Sequence, residues 1–118
     1  MSGAGQAGPF DALAGAGWAV RVVDLEGAEG KAAFMDRCAA ALELPAWFGR
    51  NWDALADCLS DPGVGPQGEH GLVVVVRGWE EFGARRPEVW ETAREVFAEA
   101  VEQRREAGAA LTVVLALS

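Results

Sequence analysis

Asp53 and Asp57 are the residues on which chemistry could be built. They lie in the stretch LPAWFGRNWDALADCL, Leu44 to Leu59. Pro45 restricts the residue before it and stops a preceding helix. Gly49 frees the backbone to turn, and Asn51 is a good N-cap for a helix from Trp52 to about Leu59. At a spacing of four, both carboxylates fall on one face of that helix, with Leu55, Cys58 and Leu59 on the face expected to be buried. Such a pair could work as general acid and base, hold a divalent cation, or accept hydrogen bonds from a cationic partner. The first two uses want a Lys, a His or a Gly-rich phosphate loop close by, and the stretch supplies none. The third needs only that the acids stay free. Two like charges at this spacing weaken a helix by a few tenths of a kcal/mol. Asp53 recovers some of this from the helix dipole, whereas Asp57 lies beyond the first turn. Trp47, Phe48 and Trp52 flank the pair, and a merely solvated helix face has little use for three large aromatics.

The rest of the chain offers little competing chemistry. His70 stands alone in a loop, with no second His, no Cys cluster and no nucleophile beside it, so it reads as a surface residue. Cys38 and Cys58 fall inside predicted helices; the sequence leaves a bridge between them open, and two buried, reduced thiols is the preferred reading. No metal or cofactor is expected. The net charge is −8, which repels nucleic acid and anionic membranes and favours a basic protein partner. No apolar run approaches the roughly 20 residues of a membrane span. The N-terminus lacks the charged and apolar regions of a secretion signal, so the expected location is the cytoplasm.

The elements that must position the acids follow from periodicity. Met1 to Gly17 is Gly- and Ala-rich and reads as a flexible tail, with one helical turn at most over Pro9 to Leu13. Residues 18–118 read as one domain. Trp18 to Leu25 is a strand by its β-branched content, and Lys31 to Leu42 is a helix with Phe34, Met35, Cys38 and Leu42 toward the core. After the acidic helix, Asp61 to Gly71 is a Pro- and Gly-rich loop. Leu72 to Arg77, LVVVVR, is a strand covered on both faces, as in a parallel sheet with helices on each side. Trp79 to Phe82 is a short helical segment. A long helix starts at Pro87 and stops before Gly108; Val89, Ala93, Val96, Phe97, Ala100 and Val101 form its apolar stripe. Its flank carries Glu88, Glu95, Glu99 and Glu106. Leu111 to Leu117 is the last strand. Strands joined by helical crossovers make an α/β domain, a three-stranded parallel sheet packed with helices.

The run LPAWFGRNWDALADCL resembles the signature of the barstar family, intracellular inhibitors of secreted guanyl-specific ribonucleases. The resemblance extends over Trp18 to Ser118 and returns, more weakly, in VVVVRGWEEF, in VFAEA at Val96 to Ala100 and in the terminal strand. It implies a non-enzymatic, 1:1 inhibitor that plugs an active site with its second helix and the loop before it. Asp57 then falls on the acidic position that enters the phosphate pocket, and Asp53 on its neighbour one turn earlier. Trp47 matches the aromatic over the catalytic groove and Phe48 the aromatic after it, Gly49 and Asn51 match loop contacts, and Glu99 matches an acidic contact on the last helix. Trp52 joins this set as the aromatic beside the acids. The departures also matter. Ala56 replaces a tryptophan found in the family's best-known member, and the loop after Leu59 lacks the family's Trp. Gln103 stands near a further acidic contact, and neither Trp47 nor Phe48 carries a phenol. A protein of this fold with a target other than a ribonuclease, such as another toxin, is the competing expectation.

Overall fold

The structure, a computed structural model, describes residues 10–117. Three strands, β1 (Trp18–Asp24), β2 (Gly71–Arg77) and β3 (Leu111–Leu115), form one sheet in the order β1-β2-β3. Both pairings are parallel: Trp18 lies beside Gly71 and Asp24 beside Arg77, and Leu72 to Val76 run alongside Leu111 to Leu115. Helices α2 (Lys31–Ala41) and α3 (Trp52–Ser60) connect β1 to β2; α4 (Trp79–Arg85) and α5 (Pro87–Glu106) connect β2 to β3. The expected elements are all present, with ends shifted by a residue or two, and α4 runs three residues beyond Phe82.

Sheet order decides the layering. Two right-handed crossovers that step in the same direction must pack on the same face. The core shows this: Val23, Leu72, Val74, Val76 and Leu111 form one buried cluster with Phe34, Leu55, Phe82 and Phe97 from α2, α3, α4 and α5. The expectation of helices on each side of β2 is therefore corrected to a two-layer arrangement. Val73 and Val75 point the other way and are nonetheless buried, at 2 % exposure, Val73 between Val20 and Thr112 and Val75 between Val22 and Val114. Phe34 is the hub of the helical layer, with ring centroids 5.6 Å from Trp52, 5.8 Å from Phe82 and 6.2 Å from Phe97. Each such aromatic contact adds roughly 0.5–1.5 kcal/mol beyond the buried area.

Part of the segment expected to be a tail is ordered. Residues 10–17 hold a five-residue helix, α1 (Asp11–Gly15), and the Gly17 carbonyl accepts the His70 amide at 2.8 Å. Pro9 and the residues before it lie outside the described part. His70 is exposed beside Trp18, as read from its loop. The stripe on α5 is rotated from the expected one: Trp90, Ala93, Phe97, Ala100 and Arg104 are buried, while Val89, Val96 and Val101 are half-buried. Trp90 stacks on Trp79 at 6.0 Å, and Trp79 Nε1 donates to the Ala116 carbonyl at 2.9 Å, fastening α4 to the end of β3.

Both cysteines are buried and unbridged. Burial pushes the Cys38 thiol from its ordinary 9.0 up to about 12. Between those values the unfolded chain gives up a proton that the folded chain keeps, so rising pH favours unfolding. Urea titrations should therefore give a lower midpoint at about pH 10.5 than at about pH 8, and Cys38→Ala should flatten that decline. An equally steep decline in the variant would assign it to other groups.

Candidate protein-binding surface

The loop from Glu43 to Asn51 joins α2 to α3, and both of its ends are fixed. Glu43 and Arg50 are the described non-glycine residues with left-handed backbone, at φ 50° and 53°. Each is held by its side chain. Arg21 on β1 donates from Nε and Nη2 to Glu43 Oε2 at 3.2 and 3.1 Å. Arg50 Nε donates to Asp36 on α2 at 2.8 Å. Exposed ion pairs contribute little to global stability, but here they select one backbone conformation. Between them the Phe48 amide bonds back to the Pro45 carbonyl at 2.9 Å, a turn with Ala46 and Trp47 at its tip.

The two adjacent aromatics part at this turn. Trp47 is 68 % exposed, and among the described tryptophans and phenylalanines no other is exposed. Phe48 is 4 % exposed and belongs to the core. The expectation that Phe48 meets a partner is corrected accordingly: its ring is sequestered, and it acts by anchoring the loop that presents Trp47. The Arg50 guanidinium lies 6.0 Å from the Phe48 ring and closes over it. Gly49 is exposed where the loop folds back; a Cβ there would meet Asn51 Nδ2 at 3.0 Å.

Asn51 caps α3 as its position promised. Its Oδ1 accepts the Ala54 amide at 2.8 Å, and its Nδ2 donates to the Gly49 carbonyl at 3.3 Å. Both functions of the side chain are thus used internally, so a partner would meet it only as an exposed edge. Trp52 is half-buried against Phe34, with Lys31 Nζ 5.7 Å above its ring. Leu55, Cys58 and Leu59 are buried, as the helical spacing requires. Asp53 and Asp57 are exposed and neither makes a hydrogen bond or ion pair among the described residues. Burial first, then the charges of Asp57 and Asp61, raises the Cys58 thiol above its ordinary value. Glu99 is exposed on α5, which packs against α3. Among the described residues no three acids, histidines or cysteines cluster closely enough to hold a metal ion. No helix there is long and apolar enough to cross a membrane.

One contributor escaped the sequence reading. Arg104 is buried, at 3 % exposure, and donates to the Ala109 carbonyl at 2.7 Å and to the Leu59 carbonyl at 3.3 Å. It satisfies an orphan carbonyl in the last turn of α3 and ties that end to the α5–β3 turn. Burial lowers its pKa, partly opposed by Asp61. Its signal was available: Ala93, Phe97, Ala100 and Arg104 recur at steps of four, three and four, which puts an arginine on the apolar stripe.

An α/β layer that presents free acids and an exposed indole has the makings of a protein-binding module. The family model for Barstar (barnase inhibitor) matches residues 18–116, and the chain belongs to this family of ribonuclease inhibitors. No curated protein matches it.

The cap can be tested alone. Asn51→Ala should lower unfolding free energy by about 1 kcal/mol, read as a lower denaturant midpoint with an unchanged slope; an unchanged midpoint would mean that the cap adds nothing to the stability of the fold.

Proposed function

We propose that this protein blocks the active site of a basic, secreted, guanyl-specific ribonuclease by inserting α3 and the loop before it. The observation that carries the reading is the pair of exposed, unpartnered carboxylates of Asp53 and Asp57 beside the exposed Trp47. A ribonuclease cleft binds a phosphodiester, so it is lined with cationic groups. A carboxylate on a fixed helix imitates the phosphate and accepts charge-assisted hydrogen bonds, bidentate from arginine. Asp57 enters the phosphate pocket, and Asp53 supports it one turn away. Trp47 covers the groove and excludes water, which strengthens those bonds in a lower dielectric. Gly49, Asn51 and the exposed part of Trp52 line the contact, and Glu99 meets it from α5. Phe48 supports the contact from within.

The loop geometry favours a tight complex. A loop already held at Glu43, Phe48 and Arg50 has little left to order on binding, so less free energy is lost to immobilisation. The net charge of −8 draws a basic enzyme in and speeds encounter. The complex is 1:1, because one acidic helix fills one cleft. The inhibitor works in the cytoplasm of the cell that secretes the enzyme, where Cys38 and Cys58 stay reduced. No nucleic acid, membrane or cofactor takes part.

Mixing the full chain with a guanyl-specific ribonuclease from the same source should abolish RNA cleavage at equimolar ratio. Undiminished cleavage across several such enzymes would transfer the surface to a different toxin. Removing one partner of a buried charge pair costs roughly 3–5 kcal/mol, so Asp57→Ala should weaken the complex by about a hundred-fold or more. Glu88→Ala, at the far end of α5, should leave it within about two-fold. Equal losses from the two changes would rule out a focused site. Because steering acts at long range, added salt should slow association more than it hastens dissociation; a salt-independent association rate would remove steering from the mechanism.

A further inference from the structure

We propose that β3 is a dimerisation edge, where two copies of the chain join their sheets antiparallel across a two-fold axis beside Val113 and Ala98. The two outer strands of the sheet differ. The β1 edge is blunted by Arg21, which pairs with Glu43 and also donates to the Val20 carbonyl at 3.1 Å. An edge that carries charge resists pairing with another strand. β3, LTVVL, carries no charge, proline or glycine. Its pairing phase is fixed by the Leu72 amide on the Ala110 carbonyl and the Ala116 amide on the Val76 carbonyl. In a regular parallel ladder the N–H and C=O groups of Leu111, Val113 and Leu115 then face outward.

The same three residues line an open groove of about 680 Å³ between β3 and α5, together with Phe97, Ala98 and Val101. Leu115 is 37 % exposed there. Edge and groove thus ask for one occupant that supplies both a strand and an apolar face.

The charges along α5 identify that occupant as a second copy. A two-fold at Ala98 sets each residue n places before it against the residue n places after it on the other chain. Seven places out, Glu91 meets Arg105; four places out, Arg94 meets Glu102. Both pairs are of opposite sign, and the small Ala98 at the axis allows close approach. Glu95 falls across from Val101 at the rim. Within one chain these groups already pair locally, Glu91 with Arg94 at 3.6 Å and Glu102 with Arg105. Those pairs are exposed and weak, so exchanging them across an interface costs little. Counted from the α5–β3 turn, Arg105 to Ala98 and Ala110 to Val113 each span about 10 Å, so one axis passes both. Val113 then faces its own counterpart, and Leu111 faces Leu115. Glu99 sits about 100° around α5 from Ala98, so the dimer leaves the acidic face of α3 open.

The test is the mass of the full chain by light scattering and sedimentation over a rising concentration series. It should climb from the 12.4 kDa of one chain toward twice that value. Val113→Lys places two ammonium groups at the axis and should hold the protein at one chain wherever the parent is paired. Glu102→Arg should raise the dissociation constant about ten-fold, and adding Arg94→Glu should restore it, since the double change swaps the signs and keeps them opposite. Circular dichroism melts check folding; if Val113→Lys unfolds, the exposed helix variants decide. A single-chain mass at every concentration, or pairing indifferent to Glu102→Arg, would overturn the proposal.

Discussion

The sinking of Phe48 beside the display of Trp47 is the constraint on which this structure depends. Neighbouring residues in a turn cannot both face the core. Burying Phe48 under the Arg50 guanidinium therefore leaves the ring before it, Trp47, outward. The arrangement requires left-handed backbone at Glu43 and Arg50, neither of them glycine, at roughly 1–2 kcal/mol each. Strain of this kind persists only where surrounding contacts over-determine it. Here those contacts are the Arg21–Glu43 and Asp36–Arg50 pairs and the burial of one phenyl ring. They come from β1 and α2, so the loop inherits the rigidity of the sheet and helix layer.

The acidic helix is fixed just as firmly, from three directions. Asn51 closes its start, Trp52 wedges it against Phe34, and Arg104 grips the Leu59 carbonyl in its last turn. The third contact reverses the usual logic of a buried charge. A guanidinium taken out of water is costly unless its donors are met. The C-terminal carbonyls of a helix carry partial negative charge and lack partners of their own. Each therefore relieves the other, and α3 is joined to the turn that launches β3.

How much of this the sequence disclosed depends on the kind of signal. The strands and helices were legible because burial leaves a pattern: the valine run of β2 marks a buried strand and Asn51 marks the start of a helix. The acidic pair was legible for the same reason, since a spacing of four on a helix leaves no choice of face. The division of labour between Trp47 and Phe48 was not, because a loop has no period to say which of two rings turns in. Arg104 was hidden differently. A charged residue on an apolar stripe is discounted by composition, although its spacing was correct. The single helical layer was hidden in β2, whose unbroken apolar run reads the same whether helices or the side chains of neighbouring strands cover its second face.

The exposed acids are the last feature to account for, and the basic residues supply the reason they remain free. The chain has 10 lysines and arginines against 18 aspartates and glutamates. Arg21, Arg50, Arg77, Arg85, Arg94 and Arg105 sit in ion pairs, none with Asp53 or Asp57. Arg37, Arg86 and Arg104 reach backbone carbonyls at loop and helix ends. Lys31 lies over the Trp52 ring. Each cation is thus engaged elsewhere, several of them in holding the very loop and helix that carry the acids. Folding therefore spends the basic side chains on the scaffold and leaves the carboxylates of Asp53 and Asp57 to solvent.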